Sequence, residues 1–182
     1  AHQDFAKTAT SGEGYTTSKR GNLEVTPPRS SLPSHDQRWR VLDLFCGAGG
    51  LSYGFEQTGQ FVTVGGIDLL PDRISTFTAN HEHAAGLAGD IRETSPDSVR
   101  EIIGSVDVIV GGPPCQGFSS IRPFRTLTES DRRNSLVEHY VLMLAGLQPK
   151  WFVFENVVGL LTHEKGEKLK AILNAFSEMG YS

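Results

Sequence analysis

Apolar and polar positions divide this chain into two unlike parts. Up to about residue 38, stretches such as "TATSGEGYTTSKRGN" and "TPPRSSLPSHD" are rich in Ser, Thr, Gly, Pro and charge and show no apolar period. Such a composition buries too little surface to offset the entropy of ordering, so residues 1–38 are expected to form a flexible arm. From Trp39 onward the pattern changes abruptly, and residues 39–182 read as one domain. "RVLDLF" is a short apolar run that predicts a strand, stopped by the glycines of "CGAGG". "LSYGFEQTG" follows with helical spacing, with Leu51, Phe55 and Tyr53 expected on its apolar side and Gly59 as its stop. "FVTVGGID" predicts a second strand, and "PDRISTFTANH" a second helix with Pro71 in its first turn and Ile74, Phe77 and Thr78 at helical spacing.

The alternation continues along the chain. "AGLAGDI" predicts a third strand, "SPDSVREII" a short helix, and "VDVIVGG" a fourth strand closed by two glycines. "SLVEHYVLMLAGL" carries the strongest helical pattern, "KWFVFENV" predicts a fifth strand, and "GEKLKAILNAFSEMG" a helix ending at Gly180. Five strand and helix alternations predict an α/β fold: a Rossmann-like, doubly wound, mostly parallel sheet with helices on both faces. Ligands bind such sheets at the carboxyl ends of the strands, where every unusual loop of this chain falls.

Composition narrows the picture modestly. The 182 residues hold 38% hydrophobic and 21% charged side chains, ordinary values for a folded domain. A net charge of -4 argues against a grip on nucleic acid by bulk positive charge, so any such contact must be local or shared. Two cysteines, Cys46 and Cys115, lie far apart and share no metal-ligand spacing with histidines, so neither a disulfide scaffold nor a zinc or other metal site is expected. No run approaches the roughly 18 apolar residues of a membrane span, and a cytoplasmic or nuclear location is expected.

Three loops carry candidate chemistry. "DLFCGAGG", from Asp43 through Phe45, Gly47 and Gly49 to Gly50, sets glycines between a strand and a helix, where a ligand can approach backbone amides. Its spacing differs from the dinucleotide fingerprint G-x-G-x-x-G, which disfavours a Rossmann oxidoreductase. Asp68 ends the second strand, where a carboxylate can accept both hydroxyls of a ribose, and Asp90 ends the third, suited to an exocyclic amine. Each aspartate, standing alone, could equally be a helix cap or a solvated loop residue. The second loop, "GGPPCQGFSS", stiffens the backbone with Pro113 and Pro114 before Cys115, which suits a nucleophile held at a strand end. Cys46 reads as a packed small hydrophobe. The third, "FENV", puts Glu155 at the same sheet edge as Cys115, a carboxylic acid beside a thiol or else a strand-end cap.

In order and spacing, "DLFCGAGG", "GGPPCQGFS" and "FENV" resemble the cofactor turn, the Pro-Cys loop and the Glu-Asn-Val motif of the cytosine carbon-5 DNA methyltransferase family. The likeness runs from Val41 to Ser182. It implies S-adenosylmethionine as cofactor and DNA, through a flipped cytosine, as substrate. Cys115 would add to carbon 6, Glu155 would hold or protonate N3, and Asn156 would orient the loop. The resemblance implies a cofactor pocket with Phe45 against the methionine or adenine moiety, Asp68 on the ribose, and Asp90 with Ile91 at the adenine. Leu136 would reach the same pocket, Pro113 would border it, and Leu69 takes a position that is often aromatic in the family. Where Asp68 stands the family usually has glutamate. Gln116, Ser119 and Arg133 would meet the substrate within a loop over 119–133, whose Arg122, Arg125 and Arg132 add local positive charge or form a solvated surface.

In the family pattern, a DNA-reading domain and a returning segment follow the last helix. The chain is therefore expected to be weakly active or inactive alone, either as a fragment or as one subunit of a split enzyme, with a partner adding beyond the fifth strand. "RGNLEV" in the arm resembles the returning segment too thinly to assign. A tRNA cytosine methyltransferase and a non-catalytic cofactor-binding subunit remain alternatives. Restriction-modification and epigenetic marking are equally open as roles.

Overall fold

Seven strands form one sheet in the spatial order Ser18–Arg20, Leu23–Thr26, Ala85–Ala88, Phe61–Asp68, Trp39–Leu44, Val108–Gly111, Trp151–Phe154. The computed structural model describes residues 10–11, 15–114, 136–158, 160 and 166–182. In chain order the strands are β1 (Thr10–Ser11), β2 (Tyr15–Thr16), β3 (Ser18–Arg20), β4 (Leu23–Thr26), β5 (Trp39–Leu44), β6 (Phe61–Asp68), β7 (Ala85–Ala88), β8 (Val108–Gly111) and β9 (Trp151–Phe154). The helices are α1 (Gly50–Glu56), α2 (Pro71–Asn80), α3 (Pro96–Ile103), α4 (Leu136–Leu147) and α5 (Glu167–Glu178). From β7 through β9 every neighbouring pair is parallel. This is the α/β architecture that the strand and helix alternation predicts.

Alternate residues along the strands feed opposite faces, as the two-residue period requires. Leu42, Leu44, Ile67, Leu87 and Ile109 join the main core with Val99 and Ile103 of α3, Val137, Tyr140 and Leu144 of α4, and Ile172 and Phe176 of α5. On the other face Val41, Val108 and Val110 pack with Phe55 of α1, while Ala88 meets Ile74 and Phe77 of α2. The strand order reverses between β5 and β8. At that point loops diverge to opposite faces and leave a crevice at the carboxyl edge.

Two expectations are corrected. Residues 18–26 do not belong to an arm, because β4 pairs antiparallel with β7 and β3 with β4. Leu23 and Val25 are buried in the main core, and the two strands supply β7 with the hydrogen-bond partners its outer edge would otherwise lack. The apolar pair Leu23 and Val25 is too short a period-two signal to stand out from its polar surroundings. In α1 Phe55 packs inward as expected, but its fully buried residue is Ser52, while Leu51 and Tyr53 are exposed. A buried polar partner, described below, decides that orientation against the hydrophobic pattern.

Candidate active site

The strand β5 ends in a turn of unusual backbone. Phe45, Gly47 and Gly49 all have positive φ, of 60°, 54° and 84°. At Gly49 a side chain is excluded twice, by that dihedral and because a Cβ would run into the rings of His81 and Phe77. The turn is tied to its neighbour strand, since Cys46 N donates to Ile67 O at 3.1 Å and Gly47 N to Asp68 Oδ2 at 3.0 Å. Both Gly47 and Gly50 face open space where a Cβ would stand, so the backbone lies accessible there.

Asp68 is 6% exposed, and its carboxylate is already partly engaged. Besides Gly47 N, it accepts from Leu70 N at 3.1 Å and lies 3.6 Å from Arg73 Nη1. Each oxygen keeps lone pairs for a further donor. Leu69 beside it is 60% exposed, an apolar side chain left at the open edge. Asp90 caps the short 3-10 turn Ile91–Glu93, accepting from Arg92 N at 2.9 Å, and is ion-paired with the Arg92 guanidinium. That hydrogen-bonded pair holds its carboxyl below the usual range. Ile91 is buried, and Phe45 and Leu136 are half-buried against the main core.

Asp43 lies near the end of β5, behind the turn. It is 2% exposed, and its Oδ2 accepts from Ser52 Oγ at 2.6 Å. Burial pushes its carboxyl up to about 6, against the hydrogen bond from Ser52. Through that bond to Ser52 the side chain ties the end of β5 to the start of α1. Cys46 is buried as the sequence reading expects, and burial raises its thiol far above the ordinary range.

Across the crevice, β8 and β9 end side by side. Glu155 N donates to Gly111 O at 3.0 Å, continuing the ladder past the last paired residues. Asn156 Nδ2 donates to Pro113 O at 2.9 Å, and its Oδ1 accepts from Val157 N at 2.9 Å. A Cβ on Gly112 would stand 2.5 Å from Glu155 Oε2, so the carboxylate rests against that glycine. The structure thus brings Glu155 and Asn156 onto the Gly112–Pro113 backbone. Behind them Tyr140 of α4 donates to Val153 O at 3.0 Å and packs edge-on to Phe154, which buttresses both strand ends. Cys115, Gln116, Ser119 and Arg133, with the loop expected over 119–133, lie outside the described residues.

Sequence reasoning missed the side chains behind the turn. Ser52, Glu56, Asn80 and His81 all contact it or each other, and none belongs to a recognisable motif. Their common trait, polar side chains that meet at the turn or behind it, is invisible without the fold. Among the described residues no group of three or more His, Cys, Asp or Glu could hold a metal ion, and no helix is long and apolar enough to cross a membrane.

Comparison with known proteins gives the family and the fold. The family model of the C-5 cytosine-specific DNA methylases matches residues 39–182. Type II methyltransferase M.XorII of Xanthomonas oryzae pv. oryzae is 42% identical over 144 residues, covering 77% of this chain and 33% of that protein. Type II methyltransferase M1.HphI of Haemophilus parahaemolyticus is 38% identical over 142 residues, covering 77% and 38%. The chain therefore spans little more than a third of the length of these relatives. Among solved structures, an E. coli prophage-encoded putative DNA modification methyltransferase aligns with a TM-score of 0.62 at 29% identity, over 77% of this chain and 38% of that one. A DNMT2 mutant from Spodoptera frugiperda, at 23% identity and a TM-score of 0.58 over 78% and 41%, shares the fold.

Proposed function

The chain belongs to the C-5 cytosine-specific DNA methylase family, and from that premise we propose that it supplies the catalytic part of an enzyme methylating carbon 5 of cytosine in DNA. The observation that carries this reading is the seating of Glu155 against Gly112 and of Asn156 on Pro113. It couples a carboxyl group to the rigid strand end from which the chain continues into Cys115.

The cofactor reading rests on the donor set around the first turn. Exposed backbone at Gly47 and Gly50, the carboxylates of Asp68 and Asp90, and the apolar Leu69, Ile91 and Phe45 fit a nucleoside with a charged sulfonium tail. S-adenosylmethionine held there would supply an electrophilic methyl group. Phe45 and Leu69 would flank the ring system, Asp68 would accept from the ribose, and Asp90 from the adenine amine, with its carboxylate shared between the ligand and Arg92.

The chemistry assigned to this chain's residues follows from the weakness of carbon 5 as a nucleophile. The Cys115 thiolate forms a bond to carbon 6, and the displaced π electrons flow toward carbon 5 and N3. Glu155 donates a proton or a hydrogen bond at N3 and so offsets the charge that develops there. Carbon 5 would then take the methyl group as its bond to the sulfonium sulfur breaks and a neutral thioether leaves; a base removes the carbon-5 proton, and the electron pair expels Cys115 as thiolate. The reacting atoms are buried within a stacked duplex, so the cytosine must first be flipped out, at a cost of a few kcal/mol. Gln116, Ser119 and Arg133 are assigned to the flipped base and its backbone. A complementary segment or subunit that reads DNA sequence would add beside β9, the outermost strand, where Trp151 is 68% and Val153 38% exposed.

Duplex DNA carrying 5-fluorocytosine tests the proposal, because fluorine at carbon 5 blocks release and traps the adduct. With S-adenosylmethionine and a relative's complementary segment supplied, mass spectrometry should locate the DNA on Cys115. Cys115→Ser should abolish the adduct. Trapping by fluorinated tRNA and not DNA would replace the substrate, and no adduct with either would overturn the catalytic reading.

A further inference from the structure

Two consecutive residues at the end of α2 reach back to the glycine turn. Asn80 Nδ2 donates to Ala48 O at 2.8 Å, and His81 Nε2 lies 3.1 Å from Gly49 O. His81 is 1% exposed, wedged between Phe77, at 4.7 Å between ring centroids, and the edge of Tyr53. On its far side Nδ1 lies 3.0 Å from Glu56 Oε2, whose partner oxygen accepts from Thr63 N at 2.8 Å. Burial opposes ionisation of Glu56, yet the hydrogen bonds from His81 and Thr63 hold its carboxyl below the usual range.

Ser52 Oγ lies 2.6 Å from Asp43 Oδ2, 3.1 Å from Gly49 O and 3.3 Å from His81 Nε2, so serine, imidazole and turn carbonyl form one buried cluster. The Gly49 carbonyl can only accept, so its 3.1 Å contact is a hydrogen bond when Nε2 carries a proton. An imidazole packed against aromatic rings and held beside a carboxylate is fixed in one orientation, which aims Nε2 at that carbonyl before any ligand arrives.

We propose that Asn80 and His81 are positioning residues for the cofactor turn, gripping the carbonyls of Ala48 and Gly49 so that the amides of that turn are preset for the ligand. This rests on the reading of the turn as the S-adenosylmethionine site. Neither side chain touches the reacting atoms. Their effect is on how much order the turn must gain when the ligand binds, which is the component of affinity that preorganisation removes.

The test compares His81→Asn, which keeps a polar group only on the Glu56 side, with His81→Gln, whose amide extends to the Gly49 carbonyl. Binding of S-adenosylhomocysteine is measured by calorimetry, amide hydrogen exchange at residues 47–53 by mass spectrometry, and stability by thermal melting. His81→Asn should weaken binding about tenfold or more and speed exchange in the turn. His81→Gln should recover most of both at a similar melting temperature, a split that loss of packing alone would not produce. Unchanged exchange and affinity in His81→Asn, or equal losses in both variants tracking their melting temperatures, would overturn the proposal. A wild-type chain that binds no S-adenosylhomocysteine would refute the cofactor reading, and the exchange rates would still decide whether His81 sets the turn.

Discussion

Asn156 donates from Nδ2 to the carbonyl of Pro113 at 2.9 Å, across the gap between two parallel strand ends. Pro113 is buried and, like the proline after it, brings no N–H of its own to pin the loop. The neighbouring strand therefore supplies the restraint through a side chain. Asn156→Ala leaves that carbonyl without this donor, a loss of about 1–2 kcal/mol of positioning. Adduct formation with 5-fluorocytosine DNA should slow roughly five- to thirtyfold, at a temperature where the variant, with its melting temperature lowered by several degrees, is still folded.

Gly112 offers a sharper test of the same contact. A Cβ there would stand 2.5 Å from Glu155 Oε2, the free end of an exposed, movable side chain. Gly112→Ala should leave the fold intact and displace the carboxylate by about an ångström. Misplacement on that scale reduces turnover by up to about a hundredfold. Steady-state methylation should fall with stability preserved, and equal activity would show that Glu155 is not held where the proposed proton transfer needs it.

Leu23 tests whether the strands before residue 27 belong to the domain. It is 2% exposed and packs in the main core, and a Cβ on Gly89 would stand 2.8 Å from its Cδ2. Leu23→Ala should destabilise the chain by roughly 2–5 kcal/mol, measured by urea unfolding. An arm without packed structure would tolerate the change with no shift in midpoint.

Asp43 imposes a pH dependence of definite sign. Its carboxyl is raised to about 6 when folded, against about 3.8 for an ordinary aspartate. The folded chain thus binds this proton more tightly, so the contribution is full below about pH 4 and is lost as pH rises toward 6. At 1.36 kcal/mol per pH unit the effect is bounded at about 3 kcal/mol. Asp43→Asn should remove it, so the stability difference between variant and wild type should move in the variant's favour from pH 4 to 6.5 and then level off. A constant difference across that range would show that Asp43 does not titrate in it.

Much of this protein was legible along the chain because local rules carried it. Short apolar runs marked β5, β6, β7, β8 and β9, and helical spacing marked the segments between them. The turn after β5, the proline-stiffened loop and Glu155 stand out as candidates because their residue types are adjacent in the sequence. Tertiary structure alone decided what depends on partners distant in sequence. Leu23 and Val25 become core only when β7 presents an unpaired edge. Ser52 displaces Leu51 and Tyr53 from the interior because Asp43 waits there for its hydroxyl. His81 joins the turn from 32 residues away, since only packing brings the end of α2 beneath the start of α1. Hydrogen bonds between buried side chains leave no period in a sequence, and in this chain they determine how the glycine turn is held.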